Sequence, residues 1–136
     1  MLHKKSTQGW RTIWGKNYYF RSMWEANYAR WLSGQKQAGL IKEWEHEPET
    51  FWFLEIKRGV RSYLPDFRVT HNDDSVSYYE VKGFYDAKSV TKINRFRKYY
   101  PDHKLILIDK KWFEANSKKL RVVIPHWETG ENNFTR

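Results

Sequence analysis

No cysteine occurs among the 136 residues. Thiolate metal sites, cysteine nucleophiles and a disulfide framework are therefore excluded, and the composition fits a reducing compartment. Glycine and proline are sparse, at seven and four residues. The chain has no glycine-rich phosphate loop, no low-complexity linker and no internal repeat. No apolar run approaches the ~18 residues of a membrane span. Met1-Leu2-His3-Lys4-Lys5 is not followed by the apolar stretch of a secretory signal. These absences imply a soluble, intracellular (cytoplasmic) protein with no membrane partner. The length fits one domain over 1–136, large enough to bury a core without a structural metal.

Acidic charge is also scarce. Twenty-five Lys and Arg stand against 16 Asp and Glu, a net charge of +9 with pI near 9.7. A balance of this kind points to a polyanionic partner. The excess is local. Residues 1–16 carry Lys4, Lys5, Arg11 and Lys16 with no acid, and 82–111 carry nine basic residues against Asp86, Asp102 and Asp109. Residues 42–49 run the other way, with Glu43, Glu45, Glu47 and Glu49 against Lys42. A solvated face is the ordinary meaning of a charge run. Here the basic cluster adjoins the candidate chemistry described below.

Residues 1–20 are aromatic and basic, with little periodicity, and read as an arm or short strands. Trp24, Tyr28, Trp31 and Leu32 recur at helical spacing, which predicts a helix from Ser22 to about Gln37. Ser22-x-x-Glu25 has the form of a capping box. Pro48 makes 41–46 an edge strand at best. Residues 50–57 and 62–70 read as strands, and His71-Asn72-Asp73-Asp74 as the turn into a partner strand over 76–83. Asp86 can cap a helix over 87–100 with Val90, Ile93, Phe96 and Tyr100 as its apolar stripe. The run 105–108 then reads as a strand covered on both faces. Strand 76–83, helix 87–100 and strand 104–108 make a crossover with parallel strands. Asp109 can cap a short helix near 110–118, 121–126 read as a short strand, and 127–136 as a polar tail. The expected fold is α/β, a small mixed sheet flanked by helices.

The chemistry concentrates in Pro65-Asp66 and, 14 residues on from Asp66, Glu80-Val81-Lys82. Residues two apart on a strand share a face, so Glu80 and Lys82 project together. A hairpin turning near 72–73 brings Asp66 beside Tyr79 or Glu80. Pro65, lacking an N–H, suits an edge or bulge that reorients Asp66. Two carboxylates that close repel each other, and a hard divalent ion such as magnesium resolves the repulsion with oxygen ligands. Lys82 would orient or deprotonate a water, or offset charge on a phosphate. The competing reading is a solvated Glu-Lys pair and an ordinary turn, because short motifs match by chance. Lys88, Lys92, Arg95 and Lys98 are the phosphate-contact candidates, which would position the backbone without reading bases. Trp10 and Trp14 either stack on an unpaired base or pack on the core or a second subunit. His46, His71, His103 and His126 show no ligand spacing.

Leu64-Pro65-Asp66-Phe67, Tyr79-Glu80-Val81-Lys82-Gly83, the helix through Tyr99-Tyr100-Pro101 and Leu105-Ile106-Leu107-Ile108 together resemble the PD-(D/E)XK nuclease superfamily. Within it, the chain is most similar to the bacteriophage endonuclease I group of Holliday junction-resolving enzymes. The likeness spans about residues 20–110 and is most specific over 82–101, where Lys92 and Arg97 fit without a gap. It does not extend to the N-terminal segment.

The resemblance implies a restriction-endonuclease-like core and metal ligands at Asp66, Glu80 and the Val81 carbonyl, with Lys82 as catalytic lysine. It also implies a site role for Glu25, through water or a second metal. By sequence alone Glu25 reads first as a capping residue that reaches back to the Ser22 N–H. The expected function is a Mg2+-dependent (Mn2+ possible) DNA endonuclease selective for branched DNA, acting as a homodimer, of phage type in a bacterial host. The alternatives are a nuclease of the same fold with a restriction, transposon-end or repair task, and a non-catalytic nucleic-acid-binding module.

Overall fold

The turn at residues 72–74 sets the register of the central hairpin. In the computed structural model, which describes residues 7–130, the Asp73 carboxylate accepts from the Ser75 N–H and hydroxyl. The Asp74 N–H donates to the His71 carbonyl, and Asp74 takes a left-handed conformation at φ 70°. This closure pairs β6 (Phe67–Thr70) antiparallel with β7 (Val76–Val81), Phe67 facing Tyr79. Continued by one residue, the register sets Asp66 opposite Glu80. β3 (Glu43–His46) flanks β6 antiparallel and β8 (Lys104–Ile108) runs parallel to β7, giving a four-stranded mixed sheet in the order β3-β6-β7-β8. β3 is the edge strand that Pro48 predicts. A parallel pair needs a crossover, supplied by α2 (Ala87–Tyr99).

Strand alternation divides the sheet into two faces. Phe67, Val69, Val81 and Ile108 join a cluster with Ala26, Tyr28, Ala29 and Leu32 of α1 (Met23–Gln37) and Phe113 of α3 (Lys110–Val123). The opposite face contributes Tyr78 and Leu105 to a second cluster with Ile93 and Phe96 of α2 and with Phe51, Phe53 and Tyr63. Tyr78, Glu80 and Lys82 share parity, so the two candidate residues lie on the α2 side. The architecture is α/β, a small mixed sheet with helices on both faces. Among the described residues no helix is long and apolar enough to cross a membrane.

Helix boundaries follow their caps. The Ser22 Oγ accepts from the Glu25 N–H, Asp86 from Ser89, and Asp109 from Lys111 and Trp112. Each satisfies donors that a first helical turn leaves orphaned. Val90 departs from its predicted place on the apolar stripe and is exposed, whereas Ile93 and Phe96 are buried.

Four segments differ from the sequence reading. The strand expected over 50–57 is only β4 (Phe51–Trp52), because the chain turns at Leu54-Glu55, with the Ile56 N–H on the Phe53 carbonyl. The strand expected over 62–70 is broken at 64–66. Its first part, β5 (Ser62–Tyr63), pairs with β4 in a separate ribbon. The strand expected over 121–126 is absent: α3 runs on to Val123 despite two exposed β-branched residues, Val122 and Val123, and Pro125 follows its end. Residues 127–130 of the expected polar tail are docked. The Glu128 carboxylate accepts from Arg11 and Arg30, and the Asn27 side chain bonds both the N–H and carbonyl of Glu128. Residues 131–136 lie outside the described range.

Of the expected arm over 1–20, residues 1–6 lie outside the described range and residues 7–20 hold a hairpin of β1 (Gly9–Ile13) and β2 (Lys16–Phe20), with Trp14 and Gly15 at φ 51° and 76° in its two-residue turn. Ile13 and Phe20 point inward. Trp10 and Trp14, at 71% and 72% exposure, do not pack on the core of this chain.

Candidate metal and phosphate site

Pro65 breaks the strand between β5 and β6, since it offers no N–H to a ladder. The break exposes Asp66 to two neighbours. The Glu47 N–H donates to the Asp66 carbonyl at 2.8 Å, and Asp66 Oδ2 accepts the Val81 N–H at 2.8 Å. Asp66 is thus tied by its backbone to the end of β3 and by its side chain to β7. Glu80 is held from the other side: the buried Tyr63 hydroxyl donates to Glu80 Oε1 at 2.6 Å. Asp66, Glu80, Val81 and Lys82 all line one cleft of about 600 Å³, a size typical of small-ligand sites.

Glu25 reaches the same cleft from the start of α1. The sequence leaves it between a cap and a site role. Its N–H donates to the Ser22 hydroxyl oxygen, as a capping box requires. Its carboxylate, however, does not return to the Ser22 N–H. Oε1 accepts from the Arg21 N–H at 2.9 Å and Oε2 meets His46 Nε2 at 2.8 Å. Glu25 is therefore a buried side chain lining the cleft, with both oxygens engaged.

His46 is the residue that sequence reasoning missed. It has no ligand spacing, but it falls on the inward parity of β3 with Trp44, amid glutamates, and that position was the available signal. Its ring packs on Phe20 and Phe67. Glu25, His46 and Glu47 offer ligand atoms within 4.8 Å of one another, and Glu47 adopts φ 49°.

The electrostatics are those of acids held too close. Asp66 has its proton affinity raised well above the usual carboxylate range, first by desolvation and then by the charges of Glu80 and Glu25. The Val81 N–H and Lys82 offset this only in part. Asp66 is partly open at the cleft floor, so it is the protein packed around its carboxyl group that withholds hydration. Glu80 is raised by desolvation and by Glu25, against the opposing Tyr63 hydrogen bond, Lys82 and Lys92. The Tyr63 phenol is pushed up by burial and by Glu80. Buried, mutually repelling carboxylates are stabilised by a cation. Among the described residues, Asp66 Oδ1 and Glu80 Oε2 accept no hydrogen bond from the protein. The donor set is hard oxygen, which fits a magnesium or manganese ion.

The four basic candidates separate. Lys92 lines the cleft with Arg21 and Ser89, close enough to Glu80 to influence its charge. Lys88 is exposed one turn earlier on α2. Arg95 is anchored at one nitrogen, since its Nη1 donates to the Val60 carbonyl. Lys98 lies about 120° around the helix from Lys92, with its ammonium 5.3 Å from the centre of the Tyr99 ring. Gly83, beside Lys82, is required by close approach: a Cβ there would lie 2.8 Å from the Trp24 ring.

No curated protein and no solved structure matches this sequence. Residues 5–115 match the model of a family described as a protein of unknown function, DUF1064. That span covers most of the chain, both acids, the lysine and the crossover, and the chain belongs to the DUF1064 family.

Proposed function

We propose that this protein is a divalent-metal-dependent DNA endonuclease that hydrolyses phosphodiesters, preferentially in branched DNA. The observation that carries the reading is the convergence of Asp66, Glu80 and Lys82 in one cleft whose wall includes Arg21 and Lys92. The resemblance of Pro65-Asp66 and Glu80-Val81-Lys82 to the PD-(D/E)XK pattern supports it.

Asp66 and Glu80, with the Val81 carbonyl, would hold magnesium or manganese, and Glu25 would act through water or a second ion. A bound dication supplies a more acidic water and offsets charge on the phosphate. The protein's own groups do the rest. Lys82 orients the attacking water or donates to a phosphate oxygen. Lys92, Arg21 and the Ser89 hydroxyl bind flanking phosphates and hold the strand in register. The water gives up a proton to solvent as its oxygen joins phosphorus and the bond to the 3′ oxygen breaks, and the leaving 3′ oxygen takes up a proton from solvent. The products are a 5′-phosphate and a 3′-hydroxyl. Cutting two strands of a junction symmetrically favours a homodimer.

The test incubates the protein with labelled four-way junction, nicked, single-stranded and linear DNA, with magnesium or with chelator. Magnesium-dependent cutting of the junction in preference to the others is expected. Glu80→Gln and Lys82→Ala should abolish cutting and retain binding. A protein that shifts every substrate and cuts none is a binding module. Equal cutting of linear or single-stranded DNA assigns a different nuclease task.

A further inference from the structure

We propose that Tyr63 is a positioning residue for the cation site, its hydroxyl fixing Glu80 so that one carboxylate oxygen stays aimed into the cleft. This rests on the metal-dependent reading above and goes beyond it, because nothing in the Asp-Glu-Lys pattern points to Tyr63. The hydroxyl donates to Glu80 Oε1 at 2.6 Å. Tyr63 is only 3% exposed, and its ring meets Phe96 of α2 edge-on at 5.2 Å between centroids. The phenol is therefore held by a packed cluster of Phe96 and Ile93 from α2 and Tyr78 from β7, and not by the Glu80 side chain alone.

Tyr63 also precedes Asp66 by three residues, across the Pro65 break. The segment 63–66 thus serves both acids. It donates a hydroxyl to Glu80, and it lends the Asp66 carboxylate to the Val81 N–H. Each acid has one oxygen occupied by a protein donor and keeps the other, Asp66 Oδ1 or Glu80 Oε2, without a partner among the described residues. Glu25 contrasts with them, since both its oxygens are engaged.

The chemistry of the donor suits this role. A lysine or arginine bonded to Glu80 would place positive charge where the dication must sit. A phenol supplies a hydrogen bond with no net charge, as the outer partners of metal-binding carboxylates characteristically do, and losing such a partner typically costs about 10–100-fold in metal affinity.

The experiment measures Mn2+ binding to the DNA-free protein by electron paramagnetic resonance of the unbound ion, for wild type, Tyr63→Phe, Glu80→Gln and the double variant. Tyr63→Phe should raise the Mn2+ dissociation constant about 10-fold. Magnesium titration of junction cleavage should shift to higher concentration by a similar factor, with the rate at saturating metal largely recovered. In the Glu80→Gln background, read at Mn2+ concentrations high enough to measure its residual binding, Tyr63→Phe should shift the dissociation constant far less than in wild type, a non-additivity that a merely structural tyrosine would not produce. Wild-type affinity in a folded Tyr63→Phe protein, or full additivity with Glu80→Gln, overturns the proposal. If Tyr63→Phe fails to fold, Tyr63→Met, which fills space without a donor, replaces it in the same cycle with the same criteria. If wild type itself binds no Mn2+, the metal-dependent reading falls and takes this one with it. Binding by wild type with no response to Tyr63 removes this proposal alone.

Discussion

Replacing Asp66 by Asn should stabilise the metal-free protein while abolishing cleavage. Desolvation, followed by the charges of Glu80 and Glu25, raises the proton affinity of Asp66 well above the usual carboxylate range. The folded carboxyl binds its proton more tightly than the unfolded one. At pH below the unfolded value, ordinarily about 3.9, both states are protonated and no penalty exists. As pH rises through the folded value, the native state loses stability. Leaving a buried polar group without its solvent partners costs about 1–3 kcal/mol. Removing the charge also relieves Glu80, whereas the Asn Oδ1 can still accept the Val81 N–H. A gain on the order of 1–3 kcal/mol at pH 7.5 is expected, or about 3–10 °C in Tm for a chain of this size.

The assay is thermal unfolding of wild type and Asp66→Asn in chelator across pH 4–8, repeated with Mn2+. The gain should be largest at pH 7–8 and fade toward pH 4. Mn2+ should raise the Tm of wild type and leave that of Asp66→Asn nearly unchanged. An Asp66→Asn protein less stable than wild type at pH 7.5 in chelator would refute the reasoning, because Asp66 would then be an ordinary structural acceptor.

Lys92→Ala should weaken DNA binding and reduce its salt-dependence slope by about one unit, as read by titration at several ionic strengths. Arg95→Ala should instead lower the denaturation midpoint with DNA affinity little changed, because its guanidinium serves the Val60 carbonyl. Glu128→Gln weakens the bonds to Arg11 and Arg30 and should cost about 1–3 kcal/mol by urea unfolding at pH 7. Burial raises the proton affinity of Glu128, but Arg11 and Arg30 more than offset it and hold the carboxyl below the usual range. That difference should therefore disappear as pH falls through the folded value. Gly83→Ala drives a Cβ into Trp24, whose ring stacks on Phe113. It should cost about 1–3 kcal/mol by the same measurement.

Local patterns settled much of this protein before any tertiary contact is considered. Helical periodicity and capping residues located α1, α2 and the start of α3, because a helix is specified by neighbours three and four residues apart. The turn and strand alternation placed Asp66 beside Tyr79 or Glu80, one residue short of a fixed register, and set Glu80 and Lys82 on one face, because pairing register follows from the turn. The tertiary structure decided what depends on long-range packing. It split 62–70 at Pro65 and limited 50–57 to two paired residues. It carried α3 through Val122 and Val123, where β-branched residues read as a strand. It docked Glu128 on Arg11 and Arg30, about a hundred positions away. It also brought His46 to Glu25 and Tyr63 to Glu80, contacts between elements whose relative placement no local spacing encodes. The identities of the acids could be read along the chain. The groups that hold them in place come from elsewhere in the fold, because a hydrogen bond between packed elements depends on where the core sets each backbone.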